Sequence, residues 1–481
     1  MSREKNLVKN TFVLSIGTFL PKLATFITLP ILTGCLTKEE YGTYDLITVL
    51  ASLLLPAVTL QLQTAAFRFL IDCRQDEEKK KDIITNIYLF ITLTSIVTLV
   101  VTYFVLSKYD STLRIVICLY FFADILANAA RQIVRGLSAN MSYSVSAILA
   151  SLGKMIFAIV FVWYLHIGLF GATLALLASE LISLVYLFIR QKLFRYISPK
   201  HLSFSTLKEM LGFSWPVVPN QMSLWVMQLS DRLVVTTFMG VAVNAVYAVA
   251  NKLPSLLTLA QNTFTMAWQE NASIASKDED AGKYYSSMFK AYYDLIAGFL
   301  GVLIALTPLL FKLLVRNNYD EAYNHIAILY MALFFRSICS FLGGIYVAYK
   351  KTKSIGITSM LAAICNLTVD LSMIHFIGLY AASGSTLISY VFLFLYRMKD
   401  VKKLVKITYD YKHIIIVMLI MVAECGLCMM RYWVFDVINI VLSVIVFIVL
   451  NKDFTVKMFK AGKNAVKKFS KKIFKRKKKD S

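Results

Sequence analysis

The run NAVYAVANKLPSLLTLAQNTFTMAWQ, residues 244–269, is apolar enough to enter a bilayer. It nevertheless carries Asn244, Asn251, Ser255, Thr258, Asn262, Thr265 and Gln269 at spacings of three, four or seven. Those intervals put all seven on one face of a helix. Polar groups in hydrocarbon are costly, so such a span predicts lipid on one side and a water-filled cavity on the other. The stripe recurs, because Thr48, Ser52 and Thr59 stand 203 positions before Asn251, Ser255 and Asn262. Two matched lobes around a cavity are the architecture of a transporter.

Two further matches support the repeat. Tyr41-Gly-Thr-Tyr44-Asp-Leu answers Asn244-Ala-Val-Tyr247-Ala-Val, and Ile167-Gly168-Leu169-Phe-Gly-Ala172-Thr173 answers Ile377-Gly378-Leu379-Tyr-Ala-Ala382-Ser383. Each copy holds six helices, an even number, so the copies share one orientation. The expected organisation is an N-lobe over residues 1–190, a linker over 191–208, a C-lobe over 209–398, an unmatched helix pair over 399–451 and a basic tail over 452–481.

Of the 481 residues 58% are apolar and only 16% charged, with mean hydropathy +0.65. Soluble domains carry nearer a quarter charged residues. About fourteen runs approach the roughly 20 apolar residues needed to span a bilayer. The fold class is therefore an all-α polytopic membrane protein. The net charge of +23 would suggest nucleic acid in a soluble chain. Here Lys and Arg gather in alternate connections, which points instead to cytoplasmic loops and cytoplasmic termini. The basic first span is too long, and lacks the cleavage site, for a signal peptide. The tail after residue 451 sets Phe459, Val466, Phe469 and Ile473 against lysines. It reads either as an amphipathic helix for anionic lipids or as a basic end that fixes topology.

Charges inside spans need a partner or water. Lys22 lies amid Thr11, Ser15, Thr18 and Thr25 on one helical face, and Lys252 sits beside the stripe above. Each either lines the cavity or pairs with a neighbouring helix. Lys154 and Arg336 are further buried cations, whereas Arg68 and Arg131 lie nearer the inner ends of their helices, either to snorkel or to reach the cavity. Asp231 and Arg232 are adjacent and point about 100° apart on a helix, so each needs another partner. Asp45, Asp124, Glu180, Asp294, Asp370 and Glu424 lie at depth, to bind a coupling ion or to pair with those cations. Pro21, Pro30, Pro56, Pro216, Pro219 and Pro254 mark the first, second, seventh and eighth spans as bent.

Asp231-Arg232-Leu-Val-Val-Thr-Thr-Phe238-Met-Gly240 with Asn244-Ala-Val-Tyr247-Ala-Val-Ala-Asn-Lys252-Leu253 resembles a signature of the polysaccharide-exporter flippases. These share a superfamily with lipid II flippases and multidrug and toxin extrusion transporters. Gly17 through Pro30-Ile-Leu to Glu40-Tyr41-Gly42-Thr43-Tyr44-Asp45-Leu46 resembles the first two helices of the same family, and Arg68-Phe69 its end of helix two. The resemblance covers twelve spans. It implies two six-helix lobes in a V around a central cavity, moving an undecaprenyl-pyrophosphate-linked sugar repeat between leaflets. Lys22, Arg68 and Lys252 match that family's cavity cations by helix and position, with lysine where arginine is frequent.

The expected anion site therefore comprises Lys22, Lys252 and Arg336, with Arg68 and Lys154. Gln228, Arg232, Asn251, Ser255 and Asn262 are set to bind sugar hydroxyls, and Asp231, Asp370 and Glu180 are candidates for ion coupling. The partners implied are the polyprenyl-linked glycan, anionic membrane lipids and glycan polymerase or export machinery, with no nucleic acid, cofactor or metal. A multidrug antiporter of the same fold would need an acidic cavity for cationic ligands. A membrane enzyme would need a nucleophile or acid–base pair on a substantial outer loop. His166, His201, His325, His375 and His413 show neither such a pair nor metal spacing.

Overall fold

The computed structural model describes residues 20–21, 23–73, 75–452 and 455. Among them there are helices and turns but no strand. The helices are α1 (Leu23–Cys35), then α2 (Lys38–Thr59), α3 (Leu62–Asp72), α4 (Glu77–Val105), α5 (Ser111–Gly136), α6 (Asn140–Ala158), α7 (Gly168–Gln191) and α8 (Phe204–Ser214). They continue as α9 (Val218–Met239), α10 (Val241–Lys252), α11 (Leu257–Ala275), α12 (Ala281–Leu314), α13 (Asp320–Ala348), α14 (Thr352–Ile377), α15 (Leu379–Val401), α16 (Tyr411–Met429) and α17 (Trp433–Leu450). Eleven described helices are long and apolar enough to cross a membrane. With α1, α9 and the α10–α11 pair they account for the roughly fourteen spans expected. The chain is a multi-pass membrane protein. The three extra spans are the short or polar ones, as helices beside water would be. Of the tail, only Lys452 and Thr455 fall within the described residues.

Short polar side chains start several of the helices. Thr37 and Glu40 form a reciprocal capping box at α2, and Asp76, Asp110, Ser203 and Asp410 accept cap bonds at α4, α5, α8 and α16. The bond from the Lys79 backbone N–H holds the Asp76 carboxyl below its ordinary range. Glu40 also reaches α7, accepting from the Leu169 backbone N–H at 3.1 Å.

The second span does not break where Pro56 stands. Pro56 lies within α2, and the chain turns at Leu60 and Gln61, both left-handed with φ 47° and 60°. Thr59 explains the position. Its hydroxyl donates to the Leu55 carbonyl at 2.6 Å and accepts from the Gln61 N–H at 3.3 Å, closing one helix and releasing the next. The eighth span breaks at Pro254, where a single 3₁₀ turn, Pro254–Leu256, separates α10 from α11.

Packing divides the chain into two units, residues 1–253, 311–329 and 352–393, and residues 254–310, 330–351 and 394–481. In the first, a core of Leu62, Ala66, Ile84, Ile87, Ala130 and Ile133 joins α3, α4 and α5. Small residues there allow close helix approach. The segment after α7 is laid on α4 by hydrogen bonds. Thr85 donates to the Tyr196 carbonyl at 2.9 Å, Asn86 donates to the His201 carbonyl at 3.0 Å, and the His201 ring meets Asp82 at 2.7 Å.

The second unit is aromatic. Trp268 stacks on Phe341 at 4.1 Å between ring centres and donates to the Phe341 carbonyl at 2.8 Å. The unmatched pair α16 and α17 is keyed to α12 by glycine notches. A Cβ on Gly301 would stand 2.7 Å from Glu424 Oε2, and one on Gly298 2.6 Å from Asn451 Nδ2. Most of the apolar side chains of α17, among them Val437, Val441 and Ile448, are exposed for lipid.

Candidate functional site

Asp45, in the second turn of α2, is 2% exposed. On the adjacent α9, Arg232 donates from its guanidinium to the Asp45 carboxylate. Lys252, at the end of α10, shares the field of Asp45, Arg232 and Lys154. Lys154 on α6 lies 5.5 Å from the Tyr44 ring centre, one residue from Asp45, and also feels Glu180 and Asp124. Arg131 on α5 completes the group, 2.9 Å from Glu180 on α7 and 4.0 Å from Asp124. Four cations thus share six helices of one packing unit with Asp45, Asp124 and Glu180, and Asp231 also lies in the field of Arg232. The network joins helices from both sequence repeats.

The adjacent Asp231 and Arg232 do part company. Asp231 accepts from Tyr247 at 2.8 Å and from Thr386 at 2.5 Å. Asp370 on α14 lies in the field of Asp231, fully buried, with no hydrogen-bond partner on either carboxylate oxygen among the described residues. Asn366, one turn before it, receives a 3.5 Å contact from Ser230 and donates to Ser385 at 3.3 Å. The described residues contain no group of three or more His, Cys, Asp or Glu able to hold a metal ion. Two carboxylates with an amide and a hydroxyl nearby are, however, hard oxygen donors of the kind a proton or alkali cation meets.

The other expected residues are spread out. Asn251 donates to the Tyr247 carbonyl at 2.9 Å within its own helix, and Gln228 is exposed on α9. Arg68 is exposed and pairs with Asp72 at 2.6 Å on α3. Ser255, Asn262 and Arg336 belong to the second packing unit. The side chain of Asn262, and Lys22 altogether, lie outside the described residues. Glu180 is occupied by Arg131. Replacing it with glutamine leaves Arg131 a single, more distant carboxylate, at an expected cost of about 3 kcal/mol. The check is a lower thermal midpoint of the purified protein, with Arg131→Gln no less damaging.

Near this network the repeats meet around the α1–α2, α9–α10 and α12–α13 connections. Asn244 donates to the Gly42 carbonyl at 3.2 Å, and a Cβ on Gly42 would run into the Val241 carbonyl oxygen. Arg316 N–H donates to Thr33 Oγ1 at 3.1 Å, Asn317 donates to the Thr33 carbonyl at 2.7 Å, and Tyr41 meets Tyr319 edge-on at 6.1 Å. Further along α2, Trp225 Nε1 donates to Ser52 Oγ at 3.1 Å. No sequence pattern assigns Tyr44, Thr386, Asn366 and Trp225 their partners. Each looks like ordinary span composition until its neighbour is known.

The fold matches solved transporters. A lipid II flippase, MurJ, in an inward closed conformation aligns with TM-score 0.70 and 15% identity over 92% of this chain and 99% of its own length. An inward-facing multidrug resistance MATE transporter of the MOP superfamily aligns with TM-score 0.69 and 14% identity over 82% of this chain and 98% of the other. A MOP transporter from Pyrococcus furiosus, described as having a binding pocket of reversed polarity, aligns with TM-score 0.55 and 14% identity over 82% and 95%. No curated protein sequence matches the chain. The family of polysaccharide biosynthesis proteins matches residues 7–269, more than half of the sequence, and the chain belongs to that family.

Proposed function

We propose that this chain is a flippase that moves a polyprenyl-pyrophosphate-linked oligosaccharide across the cell membrane for surface polysaccharide synthesis. The observation that carries the reading is the gathering of four cations, Lys154, Arg131, Arg232 and Lys252, in one buried network that joins helices of both sequence repeats. Charge at that depth is costly and is retained where it has work to do. A pyrophosphate suits it; the cationic drugs of a multidrug antiporter do not. Lys252 and Lys154, with Lys22, take the pyrophosphate, while Asn251 and Gln228 meet sugar hydroxyls and the polyprenyl tail stays in lipid.

Both termini lie in the cytoplasm, and the short α1–α2 and α9–α10 connections face outward. The two sequence lobes alternate between inner and outer access, breaking no covalent bond. Asp231 and Asp370, with Asn366 and Thr386, take the coupling cation. The lysine-rich tail meets anionic lipids of the inner leaflet, and the product passes to polymerase or export machinery. The test is deletion of the gene. Lipid-linked glycan is expected to accumulate on the cytoplasmic leaflet and surface glycan to fall at least about ten-fold. Unchanged surface glycan in a strain lacking a paralogue would overturn the reading.

A further inference from the structure

We infer that Asp45 is an internal competitor for the anion site: it holds Arg232 until a pyrophosphate replaces it, and that exchange releases the contact between α2 and α10. The inference rests on the anionic-substrate reading above and adds to it what opens the closed side.

The geometry couples the two events. Asp45 stands three residues, about one helical turn, beyond Gly42, where an added Cβ would run into the Val241 carbonyl oxygen of α10. Its carboxylate bonds Arg232 on α9. The Asn244 bond to the Gly42 carbonyl lies on the same side of the same two repeats. Releasing Arg232 removes the charged link nearest this contact, while Asn244 and the Arg316 and Asn317 bonds remain as neutral links, each weaker than a charged one.

One carboxylate carries a single negative charge, yet Arg232 bonds it and Lys252 shares its field. A pyrophosphate brings two or more charges and several acceptor oxygens, and so satisfies the guanidinium fork and the ammonium groups together. A neutral glycolipid cannot displace Asp45, and a monoanion has no advantage over it. The pair therefore selects for multiply charged headgroups and ties opening to their arrival. Linkage makes the effect reciprocal: if the anion breaks the pair, weakening the pair must tighten the anion.

The experiment uses the full-length protein in lipid nanodiscs, with inorganic pyrophosphate and inorganic phosphate as probes. Asp45→Asn is nearly isosteric and keeps one hydrogen-bond acceptor, and Asp45→Glu keeps the charge as a folding control. The expected result is pyrophosphate binding about ten-fold tighter in Asp45→Asn than in the parent, with the Glu variant near the parent. Phosphate should bind weakly to both. In a cysteine-free background, an impermeant maleimide should label Val241→Cys faster when pyrophosphate is present. Binding to the parent with no gain in Asp45→Asn, or a gain without faster labelling, would overturn the exchange while leaving the anion site standing. Absence of pyrophosphate binding in parent and variants alike would instead remove the anion reading itself.

Discussion

Lys252→Gln is expected to abolish glycan export, lowering it at least about thirty-fold, with the protein still folded and inserted. The ammonium is one of four cations in the buried network that also holds Asp45, Asp124, Glu180, Lys154, Arg131 and Arg232. Truncating one member of a desolvated charge pair costs about 2–5 kcal/mol in binding, and each 1.4 kcal/mol is a factor of ten. Glutamine keeps a hydrogen-bonding group on a side chain one atom shorter and removes the charge, so the main change is electrostatic. Lys252→Arg keeps the charge and adds a planar fork, and should export within about ten-fold of the parent. The measurements are surface glycan in a complemented deletion strain and the thermal midpoint of the purified variants. Normal export by Lys252→Gln would mean that Lys252 only balances Asp45, and the substrate's anion would have to be sought elsewhere.

Lys252 stands out in the sequence because its surroundings are written in the local chain. Residues 244–269 carry their polar stripe at helical spacing, and a lysine beside that stripe must face water or a partner. The number and kind of spans are legible for the same reason, since bilayer thickness fixes the length of an apolar run. Asp231 and Arg232 show where legibility ends. Adjacency on a helix dictates that they diverge, but not that Arg232 meets Asp45, 187 residues earlier, or that Asp231 meets Thr386, 155 residues later. Partners across helices depend on which faces pack, and no local pattern carries that. Arg68 illustrates the opposite case, a cation matched by family position that sits exposed beside Asp72. The break at Leu60 and Gln61 is hidden for another reason. Proline advertises a bend, whereas the threonine that sets its position is a common residue in any span.

Gly42→Val is expected to be the most damaging substitution at a residue with no functional group. A Cβ at position 42 would overlap the carbonyl oxygen of Val241, and a backbone atom, unlike the end of a flexible side chain, cannot move aside. The helices α2 and α10 would have to separate, taking with them the Asn244 bond to the Gly42 carbonyl and loosening the Arg232 link to Asp45. Overpacking costs about 1–3 kcal/mol where side chains yield, so a backbone clash belongs at the upper end or beyond. Alanine recovers about 1 kcal/mol of helix propensity over glycine. Gly42→Ala is therefore expected to fall between the parent and Gly42→Val, and both to label faster at Val241→Cys while exporting poorly. Gly426→Ala on α16 is the control: nothing lies within 4 Å of its Cβ position, so the same propensity gain comes without a clash. It should export normally and be as stable as the parent or slightly more so. Equal behaviour of the alanine variants at 42 and 426 would show that α2 and α10 have room to spare, and that their contact does not hold this side closed.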